Sequence, residues 1–197
     1  MVTRTAPRGC VLVLPGGRVR SQRPSRRWQL ANVRMVFVAR ALRRRLGPEV
    51  DVRQVRYRLR GWNTPRLDPL RDAERVLEDL QRRCQPDHIV VVGHSMGGRV
   101  AAHLAAGGGV GSVVALAPWW EHGDGDLIPT HTRLLAVHGT ADSITDPNKS
   151  RAQVERACQR GLDAHWVGIE GVGHHMVRRW HEWHRLTTDF VTKQLSL

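Results

Sequence analysis

The sequence predicts an α/β fold in which a doubly wound, mostly parallel sheet of about six strands carries helices on both faces. Short aliphatic runs alternate along the chain with longer segments whose apolar residues recur at helical spacing. This alternation favours parallel strands, because each crossover between parallel neighbours accommodates a helix. With 197 residues, of which 41% are hydrophobic, the chain can bury a substantial core. We therefore expect a single domain over residues 1–197.

Six strand-like runs are predicted, and helical patterns separate most of them. Apolar residues at helical spacing mark a first helix between Met35 and Leu46 and a second between Leu70 and Cys84. The second follows Asp68-Pro69, a helix-start signal. The predicted strands cover residues 10–14, 52–59, 88–92, 112–117, 133–138 and 164–169.

The strongest local signal is the sequence G-H-S-M-G-G at residues 93–98, between the strand-like run at 88–92 and an alanine-rich helical segment. A Gly-x-Ser-x-Gly sequence in this context is a nucleophile elbow, a turn so tight that its neighbours must be small. The turn raises the Ser95 hydroxyl above the sheet and directs a helix N-terminus at negative charge that develops beside it. Ser95 is the candidate nucleophile, and the backbone N–H of Met96 is a candidate oxyanion donor.

Around Ser95 the chain resembles the α/β-hydrolase family, in which an acid and then a histidine follow the serine. The sequence H-G-T-A-D at residues 138–142 closely matches the family's acid loop, and the resemblance implies that Asp142 is the acid. The family's histidine follows a glycine in a later loop, which points to His174. The resemblance extends from about Cys10 to the last helix and implies the strand order 2-1-3-4-5-6, with the ligand crevice beside strands 1 and 3.

The resemblance also implies a trimmed member of the family with an open, shallow site. The two antiparallel strands that begin larger members have no room before Cys10. Only residues 118–132 join the fourth and fifth strands, which is too short for a helical lid. The second oxyanion donor is expected from the sequence P-G-G-R at residues 15–18, where proline replaces the family's usual histidine. Gly17 is the candidate donor, with Arg18 behind it.

Several residues compete for the acid and base roles. His175 replaces His174 if the loop is shifted by one residue, and Asp124 and Asp126 lie where some family members carry their acid. Asp146 precedes a proline that opens an amphipathic segment, which favours a helix N-cap over a catalytic role.

Other side chains near these motifs have structural interpretations. We expect His94 to point away from Ser95 and His138 to end a strand, each with its ring hydrogen-bonded to nearby backbone. Trp119 and Trp120 follow the fourth strand and either contact the substrate or pack beneath the loop. The pairs His174-His175 and His181-His184 lack acidic or cysteine companions at ligand spacing, so we expect no metal site, and the proposed chemistry needs no cofactor.

The net charge of +13 is concentrated near the start of the chain, where the first 60 residues hold 16 arginines against only Glu49 and Asp51. Part of this excess directly follows the oxyanion loop, at Arg18, Arg20, Arg23, Arg26 and Arg27. A positive rim beside an active site concentrates anionic ligands, so an anionic or carrier-bound acyl substrate is one interpretation. A coding bias toward arginine is the other.

Cysteine usage and hydropathy predict a cytoplasmic protein without membrane contact. Cys10, Cys84 and Cys158 are few and odd in number and lie on predicted apolar faces, so we expect reduced core thiols. No apolar run approaches the length of a membrane span, and the run at 10–14 is a strand rather than a signal peptide.

Together these observations predict a serine hydrolase of carboxylesterase or thioesterase type. It would cleave an ester or thioester of a small-molecule acyl substrate through an acyl-Ser95 intermediate. The alternative is a nucleic-acid or acidic-protein binding module on a catalytically idle hydrolase fold, which only the charge favours. The ordered set of Ser95, Asp142 and His174 argues against this alternative, so we expect no nucleic-acid partner.

Overall fold

The computed structural model describes residues 6–121 and 123–196. Within these residues, six strands form one parallel sheet in the order β2-β1-β3-β4-β5-β6, which confirms the predicted fold class and strand order. The strands are β1 (Gly9–Leu14), β2 (Val50–Gln54), β3 (Ile89–His94), β4 (Ser112–Leu116), β5 (Arg133–Gly139) and β6 (Ala164–Ile169).

In the described part of the chain, five α-helices connect or follow these strands: α1 (Leu30–Leu46), α2 (Asp68–Gln81), α3 (Met96–Ala106), α4 (Pro147–Gln159) and α5 (Trp180–Gln194). Two one-turn 3-10 helices, Pro86–His88 and Asp124–Leu127, precede β3 and β5. The second is the only helical segment in the described part of the β4–β5 connection. Among the helices within residues 6–121 and 123–196, none combines the length and apolarity needed to cross a bilayer.

The sheet is covered on both faces, which explains why its strands are continuous apolar runs. Ile89 and Val91 of β3 belong to the core layer beneath α2, α3 and α4. Val90 and Val92 belong to the opposite layer, beneath α1 and α5. Because successive strand side chains point to opposite faces, a run of β-branched residues fills both layers at once.

The parallel arrangement brings the carboxyl ends of all strands to one edge of the sheet. The loops that leave β1, β3, β5 and β6 at this edge carry Gly17, Ser95, Asp142 and His174, respectively. The chain order reverses between β1 and β3, and ligand crevices of open parallel sheets form at such a reversal.

The prediction for β2 was wrong at its end, because the strand stops at Gln54 instead of continuing to residue 59. Beyond it the chain turns toward α2, where Asp72 accepts hydrogen bonds from the backbone and side chain of Arg58, at 2.8 and 2.7 Å. Leu59 then forms an isolated bridge with Pro24. Alternating polarity continues through this segment, so the sequence pattern alone did not mark where the chain leaves the sheet.

The expectation of three reduced core thiols was also wrong. Cys10 on β1 and Cys84 after α2 form a disulfide, and Cys158 is free and exposed. The two bonded residues are 74 positions apart in sequence, and the packing of α2 on the sheet brings their Cα atoms to 6.4 Å. Because disulfides persist mainly in oxidising compartments, the cysteines no longer support the cytoplasmic location that we expected.

The two predicted helix starts have different outcomes. Asp146 is the N-cap of α4, since its carboxylate accepts a 2.8 Å hydrogen bond from the backbone N–H of Asn148. Asp68 is instead the first residue of α2 and caps nothing. Its carboxylate accepts hydrogen bonds from the side chains of Asn63 and Arg66, at 2.9 and 3.0 Å, and so anchors the loop before the helix.

Candidate active site

Ser95 lies on the turn between β3 and α3 with φ of +56° and ψ of −117°. Such a conformation costs a non-glycine residue about 1–3 kcal/mol. Close packing enforces the turn. A Cβ on Gly93 would collide with the backbone of Gly97, and a Cβ on Gly97 would collide with the carbonyl oxygens of Leu14 and Pro15. The strained strand–turn–helix geometry of a nucleophile elbow is therefore present.

The loops after β5 and β6 meet through a hydrogen bond between Asp142 and His174. His174 Nδ1 donates to Asp142 Oδ2 over 2.8 Å, and the side chains are 6% and 0% exposed. The other carboxylate oxygen, Oδ1, accepts hydrogen bonds from the backbone N–H groups of Ile144 and Thr145, at 2.8 and 3.0 Å. The carboxylate is thus held rigidly by its own loop while it orients the imidazole.

Burial by itself would raise the pKa of Asp142. Hydrogen bonds from His138 and His174, together with the two backbone N–H groups, outweigh that effect and hold the pKa well below its usual range. The carboxylate is therefore charged at neutral pH and keeps a proton on His174 Nδ1. Within the described residues, neither His174 Nε2 nor Ser95 Oγ has a hydrogen-bond partner, and both residues line one cleft. Both atoms are thus left for a substrate, and such contacts often tighten only when one binds.

Two side-chain contacts of Asp142, with His138 and with Thr145, were not predicted from the sequence. His138 is fully buried, and its Nε2 lies 3.1 Å from Asp142 Oδ2, while its Nδ1 lies 2.8 Å from Ser150 Oγ. Its ring therefore bonds side chains rather than the backbone that we expected. The Thr145 hydroxyl donates to Asp142 Oδ2 over 2.8 Å and lies 3.1 Å from His174 Nδ1. Asp142 is thus shared by two histidines and a threonine, an arrangement that the H-G-T-A-D sequence only partly suggests.

His94 connects the elbow to the histidine loop. Its Nε2 donates to the backbone carbonyl of His174 over 2.9 Å, which agrees with the expected bond to nearby backbone, and the two rings are 4.9 Å apart. Burial, reinforced by the charge that His174 can carry, lowers the pKa of His94 to about 3. The ring is consequently neutral at physiological pH, and it ties the two loops together without carrying charge.

The two residues that carry the candidate oxyanion donors, Gly17 and Met96, are in contact. A Cβ on Gly17 would collide with the side chain of Met96 and with the carbonyl oxygen of Arg60. The Met96 N–H begins α3 and has no partner within the helix, and the Gly17 N–H donates to no acceptor in the described part of the chain. The Arg18 N–H donates to the Arg60 carbonyl over 2.8 Å and is therefore not available. Met96 and Gly17 remain the candidates.

Ser95 opens into a cleft of about 620 Å³, and neither predicted tryptophan lines it. Trp120 is 2% exposed, and its indole N–H donates to the Gly98 carbonyl over 3.1 Å. The ring of Trp119 covers the guanidinium of Arg99, with 4.6 Å between the cation and the ring centre. Both side chains pack around α3, so the structure favours packing over substrate contact and corrects their assignment as substrate-binding residues.

The predicted arginine rim is only partly present at this cleft. Arg18 lines it, as expected, whereas Arg26 and Arg27 line a neighbouring cavity of about 370 Å³. Arg34 of α1 and Arg60 complete the cationic part of the cleft. No sequence pattern distinguished these two from the other arginines, because their position depends on how α1 and the segment after β2 pack against the elbow.

The competing acid and base candidates have other contacts. Asp124 is buried against Arg99 at 2.7 Å, and Asp126 pairs with an arginine of α4 at 2.7 Å. His175 is exposed and lies edge-on to the His174 ring, with 5.5 Å between the ring centres. None of the three contributes to the hydrogen bond at the cleft. Within residues 6–121 and 123–196, no group of three His, Cys, Asp or Glu side chains could hold a metal ion.

A family model described as the alpha/beta hydrolase family matches residues 11–144. The chain belongs to the alpha/beta hydrolase family. The matched residues include Ser95 and Asp142 and end before His174, so the structure, and not the family match, brings the histidine into contact with the acid. A comparison with curated protein sequences gave no significant match.

Solved structures of other hydrolases have a similar fold. One is MGS-M1, an alpha/beta hydrolase enzyme from a Medee basin deep-sea metagenome library (20% identity, TM-score 0.74, 98% of this chain and 86% of that chain). Another is an acetyl ester-xyloside bifunctional hydrolase from Caldicellulosiruptor lactoaceticus (16% identity, TM-score 0.73, 98% of this chain and 85% of that chain). A third is Est1E from Butyrivibrio proteoclasticus (14% identity, TM-score 0.72, 100% of this chain and 92% of that chain). At these identities the likeness establishes the fold of this hydrolase family member and not its substrate.

Proposed function

We propose that this protein is a serine hydrolase that cleaves an ester or thioester through an acyl-Ser95 intermediate. The observation that carries the proposal is the 2.8 Å hydrogen bond between His174 and buried Asp142, beside a cleft that contains the strained Ser95. Membership of the alpha/beta hydrolase family supports hydrolase activity in general. The carboxylesterase or thioesterase chemistry is our inference from these residues.

In the proposed first step, His174 Nε2 takes the proton of Ser95 Oγ as that oxygen attacks the substrate carbonyl carbon. Asp142 remains ionised and stabilises the imidazolium that forms. The negative charge on the carbonyl oxygen is bound by the N–H groups of Met96 and Gly17 at the N-terminus of α3. The carbon–oxygen or carbon–sulfur bond then breaks, and His174 returns its proton to the leaving group.

In the second step, His174 Nε2 removes a proton from a water molecule that attacks the acyl-serine ester. The tetrahedral intermediate uses the same two N–H donors, and its collapse breaks the bond to Ser95 Oγ. His174 returns the proton to Oγ, and the free acid leaves. Both half-reactions use the same three side chains, so the cycle needs no further reactant than substrate and water.

The proposal is tested by covalent labelling and by turnover. A fluorophosphonate probe should label Ser95 in the wild-type protein, with the modified residue identified by peptide mass spectrometry. Ser95→Ala should lose both labelling and the hydrolysis of 4-nitrophenyl acetate and butyrate. Ser143→Ala, which changes an exposed serine of the Asp142 loop, is the matched control and should retain both.

A Ser95→Ala protein with wild-type turnover would refute the proposal, provided that circular dichroism shows both variants folded. A folded wild-type protein that takes no label and cleaves no ester, but binds nucleic acid or an acidic protein, would instead favour the binding-module alternative. That binding should weaken steeply with added salt.

A further inference from the structure

The cleft that contains Ser95 has a cationic wall without a compensating acid. Three arginines line it: Arg18, Arg34 and Arg60. No aspartate or glutamate is among its described lining residues. None of the three takes part in an ion pair within residues 6–121 and 123–196. A cleft that carries one sign of charge concentrates ligands of the opposite sign.

Arg34 and Arg60 differ from the other partly buried arginines of the protein, because neither has an ion pair within the described residues. Arg53, Arg83 and Arg99 have side chains that are 32%, 28% and 16% exposed, and each is paired with at least one aspartate. Arg34 is also partly buried, and within the described residues its guanidinium has neither an ion pair nor a hydrogen bond. Burial lowers its pKa. Burial also lowers the pKa of His94 and of His175 at the same cleft, and the charge of Arg34 lowers both further. Burying a cation without a partner is energetically costly, and an anion bound in the cleft would supply the partner that Arg34 lacks.

The backbone places the other two arginines on one wall. The Arg18 N–H donates to the Arg60 carbonyl, and the Arg18 carbonyl accepts from the Trp62 N–H, each at 2.8 Å. This parallel pairing joins the segment that carries Gly17 to the segment after β2. Arg18 and Arg60 are therefore positioned by the same backbone that presents the candidate oxyanion donor.

An apolar wall borders the same cleft. Trp28, Leu30 and Ile144 line it and are 71%, 68% and 58% exposed. Exposed side chains of this size are ordinary when they are scattered, but grouped around a cleft they indicate a site for an apolar ligand group. The cleft thus offers a cationic wall and an apolar wall around one serine.

We propose that the substrate of this site is an amphiphilic anion, an ester or thioester that combines a short apolar group with a carboxylate or phosphate bound by Arg34. This inference rests on the proposed function, because it places the scissile bond at Ser95. Arg18 and Arg60 border the anion's position, while Trp28, Leu30 and Ile144 contact the apolar group. Arginine suits this role because its planar fork donates two hydrogen bonds to one carboxylate or phosphate.

The first test compares two esters of equal acyl length, 4-nitrophenyl pentanoate and the mono-4-nitrophenyl ester of glutaric acid. Arg34→Gln should lower the ratio of kcat/KM, glutarate over pentanoate, by about tenfold or more, mainly through KM. Arg34→Lys, which keeps the charge, should restore part of that ratio. Arg56→Gln removes an equal charge from the neighbouring cavity and should leave the ratio unchanged. Equal ratios in wild type and Arg34→Gln, or equal losses in Arg34→Gln and Arg56→Gln, would overturn the assignment to Arg34.

A second test measures binding without turnover. In the Ser95→Ala background, isothermal titration should detect hexyl phosphate and hexanoate but not hexanol, and Arg34→Gln should weaken both anions by about tenfold. The tighter of the two anions identifies phosphate or carboxylate as the preferred group. If the wild-type protein cleaves no ester but this Arg34-dependent binding persists, the proposed function fails while the anion site stands. If Arg34→Gln binds both anions as tightly as its background, the anion site is refuted whatever the protein hydrolyses.

Discussion

The buried neutral imidazole of His94 predicts a specific loss of stability in acid. Its pKa is lowered from 6.5 to about 3 in the folded protein, because the ring is buried and lies beside His174. In the unfolded chain His94 therefore binds a proton below about pH 6.5, whereas in the folded protein it binds one only below about pH 3. The stabilising contribution is fully present above pH 6.5 and is lost as the pH falls through this window.

The magnitude follows from the two pKa values. At about pH 4.5, protonation of the unfolded state alone favours unfolding by about 3 kcal/mol, and the limit near pH 3 is about 5 kcal/mol. Even the first value is a large part of the stability of an ordinary domain, typically about 5–15 kcal/mol. The pKa values of His175 and His184 are also lowered by burial, so their contributions fall with the pH in the same direction.

The assay isolates His94 by comparison with His94→Gln, whose amide can still donate to the His174 carbonyl but does not titrate. Urea unfolding, followed by tryptophan fluorescence, gives the free energy of unfolding at pH 7 and pH 4.5. The loss between the two pH values should be about 3 kcal/mol greater in wild type than in His94→Gln. His131→Gln, at an exposed histidine, should lose as much as wild type. If His94→Gln and wild type lose equal free energy, the reasoning about His94 is refuted.

Three further predictions concern the acid loop and the elbow. Asp142→Asn should lower kcat for 4-nitrophenyl esters by about 10⁴-fold. Asp146→Ala should remain active and lose about 1 kcal/mol of unfolding free energy, measured by urea unfolding, because the helix cap is removed. An active Asp142→Asn and an inactive Asp146→Ala would mean that the acid is misassigned. His138→Leu should cost about 1–3 kcal/mol, because it removes a buried hydrogen-bond partner of Asp142, and an unchanged urea midpoint would contradict this. Gly97→Ala should prevent a stable fold, since the new Cβ would collide with two carbonyl oxygens. Gly107→Ala is the control and should melt near the wild-type temperature, because its Cβ would lie 3.5 Å from the nearest atom.

Much of the fold could be predicted because its signals are local. Each buried strand is a short aliphatic run, and each connecting helix has its own apolar face. The elbow at residues 93–98 also has a local signature, because only small residues satisfy its close backbone contacts. The end of β2 could not be predicted in this way, since the alternating pattern continues after Gln54 and contacts with α2 decide where the strand stops.

The same distinction applies to the candidate site. Ser95, Asp142 and His174 were predicted from motifs in their order along the chain, and the structure brings Asp142 and His174 into contact. The cap role of Asp146 followed from the proline after it, because capping depends only on neighbouring residues. In these cases the chemistry of a residue is set within a few positions of it, so a sequence motif suffices.

Residues with distant partners needed the tertiary structure. Cys10 and Cys84 had no sequence signal for pairing, because their contact depends on how α2 packs on β1. The sequence did not show whether the rings of Trp119 and Trp120 face the cleft or α3, because this depends on the path of the loop after β4. Arg34 is one arginine among many in the sequence, and it becomes an unpaired cation of the cleft, with Arg18 and Arg60, only because α1 packs its first turns beside the elbow. Local propensity thus determined the elements and the candidate nucleophile, whereas burial and charge at the site depend on contacts between segments far apart in the chain.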